Sequence, residues 1–182
     1  QMMEKVVLPP FRPRRTEEEI RKQMPWATQG KLAGHKRNVI TSLELDPAIM
    51  EENNIRFQAK YRKIEEAEVR YEEIGCENAD YLMIAFGSMA RICLKTQEMA
   101  LAEGIKVGVL RPITLWPFPS KIIAEYANKV KGMISVELNA GQMVEDIRLA
   151  VNGKVKVEHF GRLGGIVPTP DEVLNALKQK LM

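Results

Sequence analysis

Residues 80–88 read Asp80-Tyr81-Leu82-Met83-Ile84-Ala85-Phe86-Gly87-Ser88, a run of six apolar positions bounded by an aspartate and a glycine–serine pair. A run this short, without alternation and closed by a turn residue, belongs to a strand buried on both faces, as in the centre of a parallel sheet. Ser88 stands where it can cap a helix through about residue 103, and Gly104 where it can close it.

Outward from this stretch the same grammar repeats. Strands are expected over 105–110, 133–138 and 155–160, and helices over 120–131 and 142–152, the latter ending at Asn152-Gly153. The strand 155–160 alternates apolar and polar residues, as an edge strand with one solvated face does. Thr169-Pro170-Asp171-Glu172 combines a capping box with a first-turn proline and opens a last helix. Strand–helix alternation at this spacing means right-handed crossovers, so the fold class is α/β: a mainly parallel sheet in a three-layer α/β/α arrangement.

In such a sheet all strand-to-helix turns emerge at the carboxyl edge. Four separate stretches thereby become one surface: Phe86-Gly87-Ser88, residues 111–119, residues 137–142 and residues 160–165. The candidate interface or anion-binding residues on it are Ser88, Arg111, Trp116, Phe118, Glu137, Asn139, Gln142 and Arg162.

Each turn has a sharp and a plain interpretation. Gly87-Ser88 could hold an anion on helix N–H groups, but it lacks the glycine spacing of a dinucleotide site, and ordinary capping is favoured. Residues 111–119 contain three prolines beside Trp116 and Phe118, a rigid aromatic loop suited to an interface. Packing on its own sheet, with Arg111 in a local ion pair, is the alternative. Glu137 lies late in an apolar strand and needs a designated partner, for which Arg111 and Arg162 are the expected candidates. A structural ion pair is favoured over acid–base catalysis, because no second catalytic group accompanies it. His35 and His159 stand apart and suggest no metal site. His159, on an edge strand, is expected to be solvated or hydrogen-bonded.

Upstream, residues 1–45 are irregular and proline-interrupted. Thr16 and Glu19 form a capping box for a helix over 17–23 that ends at Met24-Pro25. Residues 30–37 read as a loop and 39–43 as a short strand. Asp46-Pro47 opens a helix to about residue 74, with a break near Asn53-Asn54. Met50, Phe57, Ile64 and Tyr71 recur every seven residues on it as a narrow apolar stripe. Such a helix suits an arm laid across another surface as well as one packed on its own domain. The expected division is a connector and helical arm over 1–75, then an α/β domain over 76–182.

The chain of 182 residues has room for one domain of ordinary size plus an appendage. Its net charge of +3 divides as 14 basic against 13 acidic residues up to residue 75 and 13 against 11 beyond, so neither part is a nucleic-acid footprint. No apolar run reaches the length of a membrane span. Cys76 and Cys93 form no C-x-x-C pair, and Cys93 reads as a reduced core thiol, which fits a cytoplasmic location. Two cysteines cannot supply the four thiolates of an iron–sulfur cluster.

At the turns the sequence resembles a known family. YLMIAFGSMARI (81–92), GIKVGVLRPITLWPFP (104–119), ISVELNAGQMVEDIRLAVNG (134–153) and FGRLGGIVPTPDEV (160–173) are similar to the C-terminal part of the alpha subunit of 2-oxoacid:ferredoxin oxidoreductases, above all the 2-ketoisovalerate type. Residues 9–46 resemble the connector of the same subunits, so the likeness runs in order along nearly the whole chain.

The resemblance implies a transketolase C-terminal-like domain over 76–182, whose sheet has a fifth, antiparallel strand that the connector could contribute. It implies membership of an enzyme that uses thiamine diphosphate, magnesium and iron–sulfur clusters. That enzyme oxidatively decarboxylates a 2-oxoacid to an acyl-CoA and reduces ferredoxin. The pyrimidine-end domain and its cofactor-activating glutamate are expected to precede Gln1, and the other cofactor sites to lie in other domains or subunits. The chain is therefore expected to be a piece of a longer polypeptide, inactive alone, with no catalytic, cofactor or metal residue of its own. Its expected partners are that domain and the other subunits, with ferredoxin and coenzyme A engaged by the complex. Two rivals remain at this point: a free-standing module holding a small anion at the carboxyl edge, and the equivalent domain of a transketolase-like or 2-oxoacid dehydrogenase enzyme.

Overall fold

The apolar run opens as a strand, Tyr81–Ile84, in which Leu82, Met83 and Ile84 are fully buried. It sits at the middle of a five-stranded sheet in a computed structural model that describes residues 8, 10–12, 14–27, 34 and 36–182. In chain order the elements are α1 (Glu17–Gln23), α2 (Pro47–Ala67), β1 (Tyr71–Ile74), β2 (Tyr81–Ile84), α3 (Gly87–Ala102) and β3 (Val107–Pro112). There follow α4 (Ser120–Tyr126), β4 (Gly132–Glu137), α5 (Met143–Val151), β5 (Lys156–Gly161) and α6 (Pro170–Leu181). The described residues divide into two compact units, one ending at Arg56 and one running from Phe57 to Met182.

The sheet order is β1-β3-β2-β4-β5, with β2, β3, β4 and β5 parallel and β1 antiparallel to β3. Strand alternation sends Met83, Val109, Ile134 and Val136 to the face covered by α3 and α6. It sends Leu82, Ile84, Leu110 and Met133 to the face covered by α4 and α5. The three layers expected from the sequence are therefore present. Helix α3 closes as expected: Gly104 takes φ +79, and the N–H of Ile105 reaches back to the carbonyl of Ala100 at 2.9 Å.

Several sequence expectations are corrected. The helix opened by Asp46, whose Oδ1 accepts the N–H of Ala48 at 2.8 Å, runs unbroken through Asn53-Asn54. It ends at Ala67 rather than near residue 74, so Tyr71 leaves the heptad stripe and enters β1. Pairing decides this: Glu72 and Glu73 lie opposite Arg111 and Leu110 on an edge strand, an option that local helix propensity does not register. The fifth strand thus comes from 71–74 and not from 39–43. Residues 39–43 are exposed and irregular, and nearby N–H groups turn to side chains, Leu43 to Thr41 Oγ1 at 3.2 Å and Leu45 to Glu44 Oε1 at 3.0 Å. The loop expected over 30–37 falls mostly outside the described residues, as does His35.

Strand β3 extends to Pro112, so Arg111 belongs to the sheet and not to the turn. Helix α4 stops at Tyr126, although Ala127 and Val130 remain buried in the turns that follow. The Tyr126 hydroxyl donates to the Glu73 carboxylate and so ties α4 to β1. Burial first, and this carboxylate second, push the phenol well above its ordinary range.

Both capping boxes form, at Thr16/Glu19 and Thr169/Glu172. Their consequences should differ. Helix α6 buries Val173, Leu174, Ala176 and Leu177, whereas α1 buries no residue. Thr169→Ala is expected to lower global stability by about 1 kcal/mol in urea unfolding, and Thr16→Ala to leave the midpoint unchanged.

Candidate functional site

The four parallel strands deliver their turns to one edge, as the sequence implies. Beyond β1 the strand order is the doubly wound 2-1-3-4 arrangement, with α3 leaving β2 on one face and α5 leaving β4 on the other. The crevice between the ends of β2 and β4 is thus the topological switch point of the fold.

Glu137 dominates this crevice. It is the last residue of β4 and only 1% exposed, and its carboxylate is surrounded by donors. Ser135 Oγ donates to Oε1 at 2.7 Å and Val144 N at 3.0 Å. Met143 N and Gln142 N donate to Oε2 at 2.9 and 3.2 Å. Three of these donors are the first N–H groups of α5, whose cap residue Gln142 makes no side-chain capping bond. The strand-end carboxylate therefore caps the helix that follows it, where the helix dipole favours negative charge. Burial would raise this carboxyl. The hydrogen bonds it accepts, first those from Ser135 and Met143, outweigh burial and hold the group below the ordinary carboxylate range.

The expected arginine partners are elsewhere. Arg111 Nη1 pairs with Glu72 at 2.8 Å across β1 and β3, both side chains being a little under half exposed. Arg162 Nη1 pairs with Glu172 at 2.6 Å and holds the β5 turn to the start of α6. Arginine loses the competition because four donors, three of them backbone, already satisfy Glu137 from α5 and β4. Asn139 closes the turn by accepting the N–H of Gly141 on Oδ1 at 2.7 Å, while the Gln142 side chain is exposed.

His159 Nδ1, a buried atom, lies 3.5 Å from Glu137 Oε1 and makes no hydrogen bond among the described residues. The side chain as a whole is partly exposed, as expected of an edge strand, and only this inward nitrogen lacks both solvent contact and a hydrogen bond among the described residues. Ser88 also differs from expectation. Helix α3 begins at Gly87, φ +57, with Phe86 at the cap position and no side-chain cap, so the serine lies inside the first turn.

The proline-rich loop is held from within. Pro112, Pro117 and Pro119 are buried and Phe118 packs against the core on the α4/α5 face. Thr114 Oγ1 donates to the carbonyl of Pro117 at 2.9 Å, and the N–H of Ile113 donates to that of Arg70 at 2.9 Å. What remains outward is Ile113, Leu115 and Trp116. Trp116 meets Tyr61 of α2 edge to face, with ring centroids 5.7 Å apart and planes at 84°. Of the aromatic pair singled out in the sequence, one member is thus core and the other surface.

Ser135 was missed by sequence reasoning, though a signal existed: positions 135 and 137 share one face of a strand, so a hydroxyl two residues before a buried carboxylate is its nearest donor. The pairing of Tyr126 with Glu73 had no local signal. Among the described residues, no group of three or more His, Cys, Asp or Glu could hold a metal ion. With α5 capped by Glu137, the residues present do not fit a diphosphate–magnesium group at this crevice. Both cysteines are free and buried, and burial pushes the Cys76 thiol up to about 11. No helix among the described residues is long and apolar enough to cross a membrane.

Residues 79–173 match the family model described as pyruvate:ferredoxin oxidoreductase core domain II. The ketoisovalerate oxidoreductase subunit VorB of Methanothermobacter thermautotrophicus is 45% identical over 161 residues, covering 88% of this chain and 45% of that protein. Its counterpart in Methanothermobacter marburgensis is 42% identical with the same coverage. The chain thus spans about half the length of these curated relatives. Among solved structures, the 2-oxoglutarate:ferredoxin oxidoreductase of Magnetococcus marinus, with 2-oxoglutarate, coenzyme A and succinyl-CoA bound, superposes with a TM-score of 0.65 at 26% identity. That match covers 76% of this chain and 24% of that one. A split-gene transketolase, an inactive β4 tetramer, matches 62% of this chain and 41% of its own at a TM-score of 0.53 and 20% identity, a likeness of fold. An antiparallel β1 beside a parallel 2-1-3-4 sheet is accordingly the transketolase C-terminal-like fold, and the chain belongs to the core domain II family of the 2-oxoacid:ferredoxin oxidoreductases.

Proposed function

We propose that this chain is the assembly portion of an alpha-type subunit of a thiamine-diphosphate-dependent 2-oxoacid:ferredoxin oxidoreductase whose substrate is 2-ketoisovalerate. In the complete enzyme the 2-oxoacid would be decarboxylated oxidatively, its acyl group passed to coenzyme A and two electrons to ferredoxin. Identity to VorB supports the substrate, and the shared family supports the reaction class. On this proposal residues 1–75 serve as connector and arm, lending β1 to the α/β domain of 76–182. The complex works in the cytoplasm.

The observation that carries the assembly role is the division of labour at the carboxyl edge. Glu137, Arg111 and Arg162 are each satisfied within the chain, while a proline-anchored loop presents Ile113, Leu115 and Trp116 outward. Polar groups already committed to structure leave little for substrate chemistry, and a rigid loop with exposed apolar residues and one exposed aromatic suits docking. Thiamine diphosphate and the iron–sulfur clusters would be held by other domains or subunits. The anion-module alternative has less support, since both arginines and the α5 N-terminus already hold carboxylates.

The chain alone is expected to show no saturable heat on calorimetric titration with thiamine diphosphate and magnesium. Saturable binding would overturn the proposal. Trp116→Ala, in the chain co-produced with its partner subunits, is expected to weaken association on the order of tenfold or more.

A further inference from the structure

Beside the proline-rich loop, Gln58, Tyr61 and Glu65 of α2 line an open groove together with Trp116. Positions 58, 61 and 65 share one helix face. The edge-to-face packing of Tyr61 on Trp116 leaves aromatic surface open to the groove, and the two residues are 41% and 55% exposed. Glu65 is exposed too, and among the described residues its carboxylate makes no ion pair, although Arg62 and Lys63 are near it in sequence.

The chemistry of this groove selects a cation. Aromatic faces carry negative quadrupole potential, a carboxylate adds a full charge, and the Gln58 amide offers an acceptor oxygen. A guanidinium can stack on the indole while two of its N–H groups reach the carboxylate in parallel, whereas an ammonium offers a single point charge. Ile113 and Leu115 are exposed on the same loop, just before Trp116 in the chain, and apolar surface in that loop fits a protein rather than a free small cation.

We propose that this groove receives an arginine side chain projected by a partner subunit. The proposal rests on the docking role given above to the proline-rich loop and names the chemistry it recognises.

Two measurements test it. In Trp26→Phe protein, which leaves Trp116 as the sole indole, N-acetyl-glycyl-arginyl-glycine amide should change tryptophan fluorescence saturably. The lysine peptide should bind at least about fivefold more weakly, and the uncharged citrulline peptide should give no response. Glu65→Gln should abolish the arginine preference. Absence of any arginine response, or equal response to citrulline, overturns the proposal.

The second measurement is association with co-produced partner subunits. Trp116→Leu and Glu65→Gln should each weaken it, and the double variant should lose less than the product of the two effects. If Trp116→Leu weakens association and Glu65→Gln does not, docking stands and the arginine assignment falls. If neither does, both fall.

Discussion

Glu137→Ala is expected to destabilise the α/β domain by about 3–5 kcal/mol, the largest effect of any single substitution considered. The substitution leaves the Ser135 hydroxyl and the N–H groups of Met143 and Val144 without an acceptor in a buried site, and α5 without a cap. Thermal unfolding should show a fall in Tm on the order of 10 °C. Glu137→Gln keeps one acceptor oxygen but turns an NH2 group toward donors, so a smaller loss of about 1–3 kcal/mol is expected.

The same carboxylate sets an acid dependence whose sign follows from its depressed folded-state pKa. Its contribution is complete above the ordinary value of 4.5 and is lost as pH falls below that toward the folded-state value. Urea midpoints measured from neutral pH downward should therefore decline below pH 4.5 more steeply for the parent protein than for Glu137→Gln. Parallel profiles would show that the helix cap contributes no acid sensitivity.

Gly161→Ala is the second large effect expected. This glycine ends β5 with ordinary φ, so the constraint is space and not backbone strain. A Cβ there would stand 2.2 Å from the carbonyl oxygen of Asn139 and 2.6 Å from His159 Nε2. A side chain could turn away, but a backbone oxygen cannot without moving the turn 137–142 that holds Glu137 against α5. A cost near the top of the overpacking range, about 3 kcal/mol, is expected in equilibrium unfolding. Because the displaced turn carries the Glu137 network, the loss should be less than additive with Glu137→Gln in a double-mutant cycle. Additive losses would mean that the turn relaxes without disturbing the cap.

Much of the domain was legible from residue order. Tyr81–Ile84 and Gly132–Glu137 follow from apolar runs, the end of α3 from Gly104 and the start of α6 from its capping box, all of which act within a few residues. Strand β1 was not legible. Tyr71–Ile74 carries two glutamates and its Tyr71 also continues a helical stripe, and only the neighbouring β3 supplies the ladder that makes it a strand. The site divides the same way. That Glu137 required a partner was evident from a carboxylate in an apolar strand; that the partner is the N-terminus of α5 was not, because backbone N–H groups leave no mark in a sequence.

Residue order by itself therefore determined the alternating architecture, the shared edge of the four turns and the family, since these depend on local periodicity and on ordered motifs. Tertiary structure decided who meets whom. It gave Arg111 to Glu72, Arg162 to Glu172 and Glu137 to α5, and it split Trp116 from Phe118 into surface and core. The reason is geometric: partner choice depends on distances between chain segments far apart in sequence, and those distances exist only once the sheet has ordered its strands.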